Sequence, residues 1–154
     1  MYHGVICLLY RPIDPEMSTP LPTKSPRPGK PDFERLSHFR YRLRRFLRIS
    51  ELLCKRHGLT ALQYQLLLHV MGMPGRDWAT VGELADRLQA QHHGVVALID
   101  RCEKLELLQR RPGRGDQRVV EIHLRPKGEK LLAKLAAEHR GELQLLLGEF
   151  ATLK

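Results

Sequence analysis

Apolar and polar positions alternate with a helical period along most of the chain. From Asp32 and Phe33 to Arg56, the residues Leu36, Phe39, Leu43, Phe46, Leu47 and Leu53 recur at steps of three and four, forming one apolar stripe. The opposite face carries Arg35, Arg40, Arg42, Arg44, Arg45 and Arg48, and Gly58 closes the run. In "LTALQYQLLLHVMG", Thr60 and Gln63 have the spacing of a capping box, in which each side chain satisfies the other's backbone amide. Leu62, Leu66, Leu67 and Val70 carry that helix to Gly72, and "MPGRD" reads as a turn. Thr80 and Glu83 form a second capping box. It opens a short helix whose buried side is Val81, Leu84, Ala85 and Leu88.

The stretch "QHHGVVALIDRCEKLELLQRR", Gln91 to Arg111, mixes two characters. Val95, Leu98, Ile99, Cys102 and Leu105 fall on one helical face, which packing would bury. Gln91, His92, His93, Val96 and Ala97 fall on the other face or in the first turn, and Gly94 would let backbone approach closely. After Leu107 the period drops to two. In "RVVEIHL", Val120, Ile122 and Leu124 alternate with Glu121 and His123, the pattern of a half-buried strand. Between this run and "LLQRR" lies "PGRGDQ", a hairpin loop with Arg114 at its tip. Pro126 suits the first position of a last helix, which Gly141 could bend or split.

A short helix, a brief turn, an apolar helix and an arginine-bearing hairpin make a winged helix-turn-helix. The fold class expected is mainly α with a small β-hairpin wing. In such a fold the second helix of the pair enters the major groove and presents its N-terminal residues to base edges. Its N-terminal amides favour phosphates. The candidate DNA-contacting residues are therefore Gln91, His92, His93, Val96 and Ala97 on the helix, with Arg110, Arg111, Arg114 and Arg118 on the wing. Solvated histidines and a solvated wing are the bland alternative.

Charge sharpens this reading. Lysine and arginine total 26 against 17 acidic residues, a net charge of +9, which favours an acidic partner such as nucleic acid. We expect that charge to lie with the DNA-reading elements, which sets an anionic membrane surface behind double-stranded DNA. No apolar run reaches the roughly 18 residues that span a bilayer. Cys7, Cys54 and Cys102 are far apart and odd in number, with no disulfide framework and no paired zinc spacing, as in a reducing cytoplasm. Seven of the ten prolines fall within residues 1–31, at positions 12, 15, 20, 22, 26, 28 and 31. That segment reads as a disordered arm without the features of a signal peptide, or as sequence upstream of a start at Met17.

In this order, "LTALQYQLL", "TVGELADRLQ", "VVALIDRCEKLELLQRR" and "GDQRVVEIHLRPKG" resemble the MarR family of bacterial transcriptional regulators. The resemblance covers Phe33 to the C-terminus. It implies one domain over residues 32–154, with residues 59–124 as the winged helix-turn-helix and residues 32–57 and 126–154 as dimerisation helices. It also implies a homodimer on palindromic operators, usually as a repressor. A small-molecule effector, often phenolic, would release the DNA from a cleft between the dimerisation helices and the reading part. Asp116, two residues before Arg118, matches the family's wing brace. Four positions depart from the pattern: Glu106 stands where a glycine is usual, Arg125 where a threonine is usual, and His93 and Gly94 where serine and threonine are common.

Other readings weigh less. Cys54 and His57 share a helix face, but no further ligand is close in sequence, so no metal is expected. Cys54 as a thiol sensor would depend on Lys55 and Arg56 to lower its pKa. Cys102, Tyr64 and Trp78 read as packing residues, and the arginine face of the first helix as solvated. No Ser-His-Asp order, metal-spaced cluster or phosphate-binding glycine loop points to an enzyme, and no cofactor is called for. A winged-helix protein-interaction module without specific DNA binding is the competing class; an acidic or apolar reading surface would favour it.

Overall fold

Two reciprocal caps frame the centre of the chain. Thr60 Oγ1 accepts from the Gln63 amide at 3.1 Å, and Gln63 Oε1 accepts from the Thr60 amide at 2.8 Å. Likewise, Thr80 Oγ1 accepts from the Glu83 amide at 3.3 Å, and Glu83 Oε2 accepts from the Thr80 amide at 2.8 Å. The computed structural model describes residues 27–113 and 118–151. They form α1 (Lys30–Arg56), α2 (Ala61–Met71), β1 (Trp78–Thr80), α3 (Val81–Arg87), α4 (His92–Lys104), β2 (Leu108–Pro112), β3 (Val120–Leu124) and α5 (Pro126–Ala151). The fold is mainly helical with a small antiparallel wing sheet, as the sequence pattern implies.

Some boundaries differ from expectation. Helix α1 starts at Lys30 rather than Asp32; Pro31 fits its first turn, and Asp32 caps it by accepting from the Gly29 amide at 2.8 Å. The expected disordered arm lies outside the described residues up to position 26, and positions 30 and 31 are helical. Helix α5 starts at Pro126, as the sequence predicts, and passes through Gly141 without interruption.

The core gathers Leu66, Leu67 and Val70 of α2 with Leu84 of α3, and Val95, Leu98, Ile99 and Cys102 of α4. Leu108, Ile122, Leu132 and Leu135 complete it from the sheet and α5. Leu105, assigned to this face by periodicity, is 41% exposed because α4 ends at Lys104 and the chain turns there. The stripe on α1 is also less buried than its period implies. Leu53 is buried, whereas Leu36 and Leu47 stay 53% and 44% exposed.

The sheet has the order β1-β3-β2 with both pairings antiparallel. Strand β1 escapes a sequence reading, since three residues show no period. Its presence makes β3 central and overturns the expected alternation. Glu121 and His123 are buried, not exposed, while Val120 is exposed at the strand's start. His123 lies between Trp78 on β1 and Gln109 on β2 in the register. Its Nε2 is 2.8 Å from Glu121 Oε2, so the two polar groups satisfy each other. The Arg76 guanidinium covers Trp78 at 4.0 Å from the ring centroid and also pairs with Glu83.

Helices α3 and α4 both close on a left-handed residue, Gln89 at φ +50° and Glu106 at φ +60°. In each case the next amide reaches back five residues, Ala90 to the Ala85 carbonyl at 2.9 Å and Leu107 to the Cys102 carbonyl at 3.0 Å. A side chain at position 106, where the resemblance implies glycine, therefore holds a strained backbone. Gly128 answers a different need. A Cβ at this position would lie 2.0 Å from the Leu107 carbonyl oxygen, against which the first turn of α5 packs.

Two substitutions test these positions by denaturant unfolding. Glu106→Gly should raise stability by about 1 kcal/mol, the order of the left-handed cost less glycine's extra chain entropy. Gly128→Ala should lower it by about 2 kcal/mol or more, because backbone must move to admit the methyl.

Candidate nucleic-acid interface

Helix α4 sits where its apolar side places it, on α3 and against β2. Val95, Leu98, Ile99 and Cys102 are all at most 3% exposed, which turns the other side of the helix outward. His92, His93 and Ala97 are exposed, while Gln91 and Val96 are half-buried. Gly94 is buried, so its small size serves packing within the protein rather than an approach from outside.

The start of α4 differs chemically from the starts of α2 and α3. Gln91 holds the N-cap position in extended conformation, but no side chain caps the helix and no acid lies in its first turn. The first intrahelical acceptance is by the Gln91 carbonyl from the Val95 amide at 3.1 Å. The preceding amides therefore point outward beside two exposed imidazoles, at the positive end of the helix dipole. A phosphate or a base edge fits this end; an apolar partner would leave the amides unsatisfied.

The wing residues divide. Arg110 is turned toward α4. Its guanidinium pairs with Glu103 and, at 2.5 Å, with Asp100 Oδ1, and its backbone amide donates to Glu103 Oε1 at 3.1 Å. That side chain braces the wing against α4. Arg111 and Arg118 are exposed. Arg114 and the proposed brace Asp116 lie outside the described residues. The Asp100–Glu103–Arg110 bridge was not foreseen; a helix acid paired with an arginine seven to ten residues on, across a turn, leaves no periodic signal.

The charge is not distributed as expected. Residues 81–125, which hold both reading helices and the wing, carry eight basic and seven acidic side chains. Residues 30–56, which form α1, carry nine basic and three acidic ones. Most of the surplus thus sits on α1, whose main packing partners are α5 and α2.

The junction of α1, α2 and α5 is polar but satisfied. His139 Nδ1 lies 2.7 Å from the Leu135 carbonyl and Nε2 lies 2.9 Å from Ser50 Oγ. The backbone oxygen can only accept, so Nδ1 donates to it, and Nε2 shares a hydrogen bond with the Ser50 hydroxyl. Tyr64 stacks on this ring at 4.8 Å. Cys54 beside it is fully buried; burial pushes its thiol up, against a hydrogen bond with Ser50 that lowers it. Lys55 and Arg56 are exposed and do not offset the burial. That is a poor setting for an oxidation sensor. His57 points instead to Glu138 Oε1, 2.9 Å away. Among the described residues no group of three or more His, Cys, Asp or Glu could hold a metal, and no helix is long and apolar enough to cross a membrane.

Two measurements check this geometry. Arg110→Ala should speed amide exchange in β2 and β3 by about fivefold, the effect of losing about 1 kcal/mol of local bracing. Brief iodoacetamide treatment of the native protein should leave Cys54 and Cys102 unlabelled, since burial raises both thiols, that of Cys102 to about 11. Modification of either before unfolding would contradict the buried assignment.

Residues 57–119 match the model of the MarR family. Over 71 residues the chain is 34% identical to the uncharacterized HTH-type transcriptional regulator YsmB of Bacillus subtilis (strain 168), a match spanning 46% of this chain and about half, 49%, of the relative. The solved structure of AbsC, a MarR family transcriptional regulator from Streptomyces coelicolor, superposes with a TM-score of 0.66 at 19% identity, covering 84% of this chain and 85% of that one. A mutant of S. aureus MepR bound to oligodeoxyribonucleotide superposes with a TM-score of 0.57 at 22% identity, covering 73% and 80%. The structural likenesses establish the shared fold. In sequence, residues 57–119 are similar to the MarR family of transcriptional regulators.

Proposed function

We propose that this protein is a cytoplasmic, sequence-specific DNA-binding transcriptional regulator. It reads palindromic operators as a homodimer and acts as a repressor that a small-molecule effector releases. The observation that carries this reading is the uncapped start of α4, where free amides sit beside exposed His92 and His93. MepR, with the same fold, is found bound to oligodeoxyribonucleotide, which supports the same use of the head here.

Dimerisation is supported by α1, on which Phe33, Leu36, Tyr41, Leu47 and Leu52 are all more than 40% exposed. A second copy is the simplest cover for such a run. An effector would act at the junction of Ser50, Tyr64 and His139, because that junction ties the dimerisation helices to α2 and so to the reading head. The near-balanced charge of residues 81–125 favours a second reading, a winged-helix module that docks protein instead of DNA.

Selection of bound fragments from sheared genomic DNA separates the two. The regulator reading expects one enriched palindrome with half-sites about one helical turn apart; salt-sensitive binding without any enriched sequence would move the protein-docking module to first place. For the selected site, changing His92 and His93 together to alanine should cost about tenfold or more in affinity. Equal affinities for both proteins would remove the histidines from the interface.

A further inference from the structure

Beyond its first turn, the outward side of α4 loses its polar character. Gly94, Val95, Leu98 and Ile99 are buried, so the next residues after His93 to face away from the protein are Val96 and Ala97. Ala97 is exposed and Val96 half-buried. Val96 stands four residues after His92 and Ala97 four after His93, so each lies one turn behind an imidazole, about 6 Å along the axis. Three residues past Ala97 the face becomes polar again at Asp100, whose Oδ1 is 2.5 Å from the Arg110 guanidinium. The apolar step is therefore bounded on both sides and is about one turn long.

We propose that Val96 and Ala97 select thymine: they form a contact for the C5-methyl group of one or two thymines in the major groove, beside the base pairs that His92 and His93 meet. The inference rests on the DNA-binding reading above and names what this part of the head reads.

The chemistry leaves few choices. Neither side chain can donate or accept a hydrogen bond, and within the helix both backbone amides are spent on carbonyls of the preceding turn. In the major groove guanine presents two acceptors, cytosine an amino donor, and adenine one of each. Pressed against Val96 and Ala97, any of these groups would lose its water and gain no partner, a cost larger than that of a lost contact. Among the four bases only thymine carries a methyl group on that edge. Val96 is stiff at its one side-chain torsion and Ala97 has none, so contact costs little conformational entropy. A contact of this kind adds selectivity without charge. That suits residues 81–125, where eight basic side chains stand against seven acidic ones.

The test removes the methyl group and nothing else. In the duplex that the full chain selects, deoxyuridine replaces thymidine at one position at a time, in both half-sites, and affinity is read by fluorescence anisotropy. Loss of one buried methyl should cost about fourfold per half-site, about fifteenfold for the pair, at one or two positions only. At those positions 5-methylcytosine should bind better than cytosine by a similar factor. The Val96→Thr, Ala97→Ser variant changes size little and adds hydroxyls. Its thymidine-to-deoxyuridine affinity ratio there should fall to within about twofold of one, while thermal unfolding shows it folded. Equal affinities for thymidine and deoxyuridine at every position overturn the proposal and leave the regulator reading standing. The wild-type ratio in a folded variant also overturns it, because other residues then hold the methyl group. If the wild-type chain enriches no sequence at all, the regulator reading falls and this one falls with it.

Discussion

The contact between the first turn of α5 and Leu107 is the constraint on which the reading head depends. At this point α4 has just ended, β2 is about to begin and α5 leaves β3. The Leu107 carbonyl accepts from the Arg125 amide at 3.0 Å, and Lys127 Nζ donates to the Leu105 carbonyl at 2.8 Å. Only a glycine at position 128 lets the two backbones come so close. The left-handed Glu106 makes the reversal that brings Leu107 there. Helix α4, the wing and α5 are thereby fixed to one another through backbone, and the side chains proposed to face DNA inherit their positions from that junction.

A division of labour follows from how α4 is held. Its apolar side is spent entirely on the core, and its far end is tied to the wing through Glu103, Asp100 and Arg110. The first turn is left with uncapped amides and two imidazoles. A rigid helix with an unsatisfied start can discriminate base edges without large reorganisation, but its neighbourhood supplies little net charge. Most of the chain's positive surplus lies on α1 instead.

Much of this was legible in the sequence because it rests on local rules. The Thr60–Gln63 and Thr80–Glu83 boxes, the apolar face of α4 and the start of α5 at Pro126 each leave a signature within a few residues. The illegible parts depend on contacts between distant segments. Glu121 and His123 alternate as if exposed, yet β1 and Trp78 close over them from more than forty residues away. Arg110 looks like a wing cation until the acids of α4 are set beside it. The stripe on α1 has the period of a buried face, but within one copy it finds only partial cover. Total charge favours an acidic partner but carries no position, and most of the surplus sits on α1 rather than beside α4.

Backbone amide exchange at the start of α4, with and without a selected duplex, tests the central claim most directly. The amides of His92, His93 and Gly94 lack intrahelical acceptors and should exchange quickly in the free protein. Bound DNA should slow them by at least tenfold while the buried amides of α2 stay unchanged. Protection confined to α1, or none at all in a complex that has formed, would contradict the assignment of this helix end as the reading site.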